Sequence, residues 1–97
     1  MQLNHAAVGG TEDSGDVLVE VTPGQGTLEL EINSKVLSQY GSSIKKTVLE
    51  TLTRLNVTDA KVIVKDKGAV DQTIRARLVT AIFRAADMKE NLPWGDL

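Results

Sequence analysis

The sequence predicts an α+β domain: a small three-stranded sheet in β-β-α-β-α order, with two helices packed on one face. Three observations carry this. Two early stretches alternate apolar and polar residues with period two, two later stretches repeat apolar residues every three or four positions, and one short aliphatic run separates the later pair. Period two sends alternate side chains to opposite faces of a strand, whereas the longer spacing gathers them on one side of a helix. A sheet with its helices gathered on one face is the α+β solution to burying both.

The first strand is Val17 to Thr22, with Val17, Val19 and Val21 on one face. Pro23-Gly24-Gln25-Gly26 is a turn signal, after which Leu28, Leu30 and Ile32 point inward and Glu29 and Glu31 outward. Two such runs around a Pro/Gly turn predict an antiparallel hairpin with one buried and one wet face. Asn33 or Ser34 can cap the following helix by accepting a bond from a free backbone N–H. Its apolar stripe is Leu37, Tyr40, Ile44, Val48, Leu52 and Leu55. Gly41 interrupts that stripe, so the span is either one helix with a weak point or a short turn and a longer helix capped by Ser42 or Ser43. Ala60 to Lys65 is the third strand, ended by Asp66-Lys67-Gly68. A right-handed crossover sets it parallel to one hairpin strand. Val70, Ile74, Leu78, Ile82 and Ala85 mark the second helix, with Arg75, Arg77 and Arg84 off the stripe and in solvent. No repeat or linker divides the chain. The expectation is a single domain over 1–97, with a flexible N-terminal segment 1–16, a core over 17–87 and an extended tail over 88–97.

Ninety-seven residues lie near the lower size at which one core sustains a fold, and with Tyr40, Phe83 and Trp94 as the whole aromatic set that core must be aliphatic. The net charge of −2 offers no basic footprint for nucleic acid. Without cysteine there are no disulfides, thiolate metal sites or thiol nucleophiles. His5, the single histidine, reads as a surface residue in a polar stretch, and structural metal sites want several such ligands at fixed spacing. The start of the chain lacks the basic and apolar regions of a signal peptide, and no run approaches a membrane span, so a cytoplasmic setting without membrane partners is expected. In that setting the sequon Asn56-Val57-Thr58 carries no weight.

Four features bear on chemistry. Ser14, within Thr11-Glu12-Asp13-Ser14-Gly15-Asp16, lies between acidic residues and a glycine, with no histidine beside it to make it a nucleophile. Composition alone reads the segment as a turn, while exposure and the unhindered Gly15 also suit a hydroxyl modified by another enzyme. Glu12, Asp13 and Asp16 read as a solvated acidic loop, because carboxylates bunched in a flexible loop hold divalent cations weakly. Asp66-Lys67-Gly68-Ala69-Val70-Asp71 with Arg75 and Arg77 is a second polar cluster. Its plain reading is a strand end, an acidic first helical turn and surface ion pairs; its functional reading gives Lys67, Asp71, Arg75 and Arg77 contacts to an anionic group or a partner. Trp94, after Leu92-Pro93, either folds onto its own domain or anchors a partner.

Three stretches covering nearly the whole chain resemble the acyl carrier proteins of citrate lyase, its small gamma subunits. They are Gly10-Thr11-Glu12-Asp13-Ser14-Gly15-Asp16 before a strand, Tyr40-Gly41 with Ile44 and Thr47-Val48-Leu49, and Asp66 to Asp71 with Arg75-Ala76-Arg77-Leu78 and Arg84-Ala85. The tail Leu92-Pro93-Trp94-Gly95-Asp96 is similar as well. Departures are Glu12 for a common apolar residue, Asp13 for Glu and Gln72 for a frequent Cys. Ordinary acyl carriers, helical bundles with an Asp-Ser-Leu motif, do not fit the strand-rich pattern. The resemblance implies a carrier without catalytic residues of its own. It implies that Ser14 is joined through a phosphodiester to 2'-(5''-phosphoribosyl)-3'-dephospho-CoA, whose thiol holds acetyl and citryl thioesters while citrate is cleaved to acetate and oxaloacetate. It implies as partners an alpha subunit that exchanges acetyl for citryl, a cation-dependent beta subunit that cleaves citryl, a prosthetic-group transferase and an acetate ligase. The rival readings are the carrier subunit of malonate decarboxylase, an interaction module with a phosphorylated Ser14 loop, and a small enzyme, which the residue inventory disfavours.

Overall fold

The computed structural model describes residues 1–34 and 37–87, which form β1 (Ala7–Gly10), β2 (Val17–Pro23), β3 (Leu28–Ser34), α1 (Leu37–Arg54), β4 (Ala60–Asp66) and α2 (Asp71–Ala85). The α+β class and the two helices over one sheet face are as the pattern predicts. The sheet, however, has four strands in the order β1-β2-β4-β3, and the element order is β-β-β-α-β-α.

Two corrections follow. The first concerns the hairpin expected between β2 and β3. These strands are not neighbours: β4 lies between them, antiparallel to β2 with Val19 opposite Val64, and parallel to β3 with Ile32 opposite Val64. The Pro/Gly connection therefore crosses two strand spacings, about 9.5 Å. It passes over the start of β4, where the Gly26 N–H donates to Asp59 Oδ1 at 2.8 Å and the Ala60 N–H donates to the Thr27 carbonyl at 3.1 Å. The expected parallel pairing is present, between β3 and β4. Physically, β4 takes the centre because Ala60, Val62 and Val64 are fully buried and Ile63 half-buried, whereas β3 carries exposed Glu29 and Glu31, suited to an edge.

The second correction concerns residues 1–16, expected to lead flexibly into the sheet. They contain β1, paired antiparallel to β2 with Gly9 opposite Val19. Leu3 is buried, the Asn4 N–H donates to the Ala85 carbonyl at 2.8 Å, and the Met1 ammonium donates to the Asn56 carbonyl at 2.7 Å. His5 is likewise more than a bystander, since its ring nitrogens face the Ala6 carbonyl at 2.9 Å and Asp87 Oδ1 at 2.8 Å. Both contacts favour the charged imidazolium and raise its pKa, the Ala6 carbonyl contributing most. β1 is a strand without a strand-like sequence. Its backbone runs so close to α2 that a Cβ on Gly9 would lie 2.4 Å from the Arg77 carbonyl oxygen, a position only glycine fills.

Of the stripes their spacing predicts, Ile44, Val48 and Leu52 on α1, Leu55 just past its end, and Ile74, Leu78, Ile82 and Ala85 on α2 are buried; Val79, Ala81 and Phe83, outside the predicted stripe, are buried as well. α1 runs unbroken through Gly41, which decides between the two readings of that span. It ends where Asn56 adopts φ 56°, with the Val57 N–H bonded to the Leu52 carbonyl and the Asn56 N–H to the Thr53 carbonyl. That is a Schellman closure, so the sequon asparagine is a helix terminator. Val70, placed on the second helical stripe by its spacing, instead precedes α2 and is 64% exposed.

Candidate functional site

Ser14 is exposed in the loop that joins β1 to β2, whose flanking residues Gly10 and Leu18 are register partners. The loop leaves β1 and returns within a few residues because Gly15 takes φ 82°, with nothing within 4 Å of the position a Cβ would occupy. Ser14 is therefore an exposed residue beside an open glycine position.

The base of the loop is fixed, chiefly through Asp16. The Thr11 hydroxyl donates to Asp16 Oδ2 at 2.7 Å, the Val17 N–H to Oδ1 at 2.8 Å, and the Arg77 Nε to Oδ1 at 3.1 Å. These donors stabilise the carboxylate and hold its pKa below the usual value, the Thr11 hydroxyl most and the Val17 N–H next, with Arg77 adding to them. The backbone repeats the anchoring: the Asp16 N–H donates to the Asp13 carbonyl at 3.0 Å and the Thr11 N–H to the Val17 carbonyl at 3.2 Å. The loop is thus a tethered platform with an exposed hydroxyl near its tip.

The second polar cluster stands beside this loop. The Gly15 N–H donates to the Lys67 carbonyl at 2.8 Å, and the Lys67 N–H donates to the Asp16 carbonyl at 2.9 Å, extending the β2–β4 ladder past its ends. Lys67 is positioned by Asp66, which is 3% exposed and takes bonds from the Ser34 hydroxyl at 2.9 Å, the Ala69 N–H at 2.9 Å and the Gly68 N–H at 3.2 Å. One buried carboxylate thus joins the end of β3 to the turn that leads into α2.

Of the residues singled out from the sequence, Lys67 through its backbone and Arg77 through its side chain are brought to the loop that carries Ser14. Asp71 is exposed in the first turn of α2 and Arg75 is half-buried on it; among the described residues neither bonds to the Ser14 loop. Trp94 lies outside the described residues. The arginines expected in solvent do more than stay there: Arg77 holds Asp16, and Arg84 Nη1 donates to the Val8 carbonyl at 2.9 Å, so both tie α2 to the β1–β2 unit. Sequence reasoning missed Asp16 and Asp66 as organisers. For Asp66 a local signal exists, an Asp followed by Gly and Ala whose N–H groups its side chain can reach. For Asp16 the partner that ties it to α2 is 61 positions away.

Comparison with known proteins places this geometry. Residues 4–85 match the family model described as "Malonate decarboxylase delta subunit (MdcD)". The citrate lyase acyl carrier protein of Edwardsiella ictaluri is 48% identical over 99% of this chain and 98% of its own length. That of Haemophilus influenzae is 47% identical over 97% and 96%, and that of Enterobacter sp. is 41% identical over 100% and 99%. Among solved structures, a chain from the Pseudomonas malonate decarboxylase hetero-tetramer in complex with malonate shares the fold, with a TM-score of 0.58 at 17% identity over 88% of this chain and 92% of that one.

Proposed function

The chain belongs to the citrate lyase acyl carrier protein family, and from that premise we propose that Ser14 is the residue to which its covalent prosthetic group is joined. The chain is an acyl carrier subunit of citrate lyase, a non-catalytic member of a multi-subunit assembly. The observation that carries the Ser14 assignment is an exposed hydroxyl on a loop whose base Asp16 fixes, next to an open glycine position.

The group we infer is phosphoribosyl-dephospho-coenzyme A, in phosphodiester linkage to Ser14 Oγ. The residues present fit such a group: Ser14 is exposed beside an open glycine position, and the cationic Lys67 stands on the turn whose backbone bonds the loop. When bound, such a group supplies a thiol on a long flexible arm, the usual carrier of acyl units as thioesters. The chain's own residues do the rest. Asp16, Thr11 and Arg77 hold the root of the arm in one place, and the bound Gly15 backbone fixes its direction of departure. Holding the root fixed keeps the acyl end at high effective concentration for sites on partner subunits, here an alpha acyl transferase and a beta citryl lyase. No general acid, base or nucleophile is asked of the carrier.

A carrier subunit of malonate decarboxylase shares the fold and is the nearest other reading. Identity of 41–48% to citrate lyase carriers over nearly whole chains, against 17% to the malonate decarboxylase chain, favours citrate lyase. The test is the intact mass of the chain isolated from its native complex, with peptide mapping across residues 11–17. An adduct of the size of phosphoribosyl-dephospho-coenzyme A on Ser14 is expected; a phosphate-sized adduct, or an unmodified chain from an active complex, rejects the assignment.

A further inference from the structure

Beside the Ser14 loop lies an open cleft of about 460 Å³, lined by Glu12 from the loop, Ile32, Asn33 and Ser34 from the end of β3, Lys65 and Asp66 from the end of β4, and Lys67 just past it. Resting on the assignment of Ser14, we propose that this cleft is a berth on the carrier itself for the phosphate- and ribose-bearing root of the attached group.

Three observations lead there. The first is reach. Gly15, next in the chain to Ser14, is bonded to the Lys67 carbonyl at 2.8 Å, and Glu12 lines the cleft from two positions on the other side. Consecutive Cα atoms are about 3.8 Å apart, so a group leaving Ser14 starts at the rim. The second is chemistry. Lys65 and Lys67 bring two cationic side chains to the lining and Asn33 a neutral amide, while the Ser34 hydroxyl donates to Asp66. Lys65 is 3.8 Å from Glu20 with both side chains more than a third exposed, a contact too weak to withhold it from a phosphate. The Asp66 carboxylate at the floor already accepts three hydrogen bonds, and Glu12 at the rim is an acceptor for ribose hydroxyls. The third is place and size. The cleft opens at the carboxyl ends of the parallel pair β3 and β4, where α/β sheets commonly receive ligands, and its volume lies in the range of small-molecule sites, about 300–1,000 Å³.

A berthed root restricts the directions from which the distal arm sweeps, while leaving its far end free. It also predicts an effect away from the attachment point. The experiment compares backbone amide resonances of the unmodified and the loaded chain by ¹⁵N NMR, with intact mass recorded on the same samples, for wild type and for the Lys65→Glu/Lys67→Glu variant. Loading is expected to shift the amides of Asn33, Ser34 and Lys65 as well as those of residues 13–16. In the double variant the Asn33 and Ser34 shifts are lost although the mass still shows the adduct. An adduct on wild-type Ser14 with shifts confined to residues 12–17 overturns the berth and leaves the attachment site standing. An adduct on another residue overturns both. Should the double variant not be loaded by its transferase, the wild-type comparison decides alone.

Discussion

Arg77 on α2 and Asp16 at the foot of β2 meet across 61 positions of sequence, with the Arg77 Nε 3.1 Å from Oδ1 and Nη2 3.4 Å from Oδ2. The pair fixes where the Ser14 loop stands relative to the helix. It is partly exposed, the Arg77 side chain at 44% and Asp16 at 16%, so its value lies in placement more than in stability. Arg77→Ala is expected to leave the fold intact, to speed amide exchange at Val17 and Lys67, and to slow loading of Ser14 several-fold. Arg77→Lys, which keeps the charge but loses the fork, restores loading in part. Loading of Arg77→Ala at the wild-type rate would remove Arg77 from this role.

Ser14→Ala removes an exposed hydroxyl that closes no core contact. The expected result is an unchanged melting temperature, no adduct by mass, and no carrier activity in a reconstituted complex. A loaded Ser14→Ala chain sinks the site assignment.

Two groups are expected to make stability depend on pH. The folded pKa of Asp16 lies below the ordinary 3.8, so its contribution is full above that value and is lost as pH falls through the lowered one. The folded pKa of His5 lies above 6.5, so its contribution is full below 6.5 and is lost as pH rises through the raised one. Melting temperatures recorded across pH should decline at both ends. Asp16→Asn should flatten the acid limb and His5→Gln the neutral-to-alkaline one; an acid limb unchanged in Asp16→Asn contradicts the assignment.

Gly9→Ala places a methyl group 2.4 Å from the Arg77 carbonyl oxygen and 3.1 Å from the Ala81 nitrogen, both backbone atoms. Neither yields without moving α2 from the sheet, so a loss of about 1–3 kcal/mol is expected. Chemical denaturation measures it, and a change within error would mean that β1 and α2 are less closely packed than described.

Asp66→Ala removes the acceptor that the buried carboxylate offers to the Ser34 hydroxyl and to the Gly68 and Ala69 N–H groups. The expected cost is about 3 kcal/mol, with Asp66→Asn losing less because it keeps one acceptor oxygen. Equal stability for the two variants would show that hydrogen bonding is not what holds this turn.

What depends on near neighbours is legible in the order of the residues. The alternation of Val17, Val19 and Val21 and the stripes through Ile44, Val48 and Leu52 and through Ile74, Leu78 and Ile82 state which face of each element is buried, because that choice follows from the period of the backbone. The segment around Ser14 stands out in the sequence through its acidic residues, its glycine and its resemblance to a family. Tertiary structure decided which elements adjoin. A Pro/Gly turn serves equally a hairpin and a crossing of two strand spacings, and only burial of Val62 and Val64 on both flanks put β4 between β2 and β3. Ala7-Val8-Gly9-Gly10 has a loop's composition; it is a strand because β2 offers an unpaired edge and Gly9 lets α2 lie against it. The fixing of the Ser14 loop by Arg77 and its contact with Lys67 belong to the same class. Each joins residues whose proximity comes from packing the whole chain, and no local pattern encodes it.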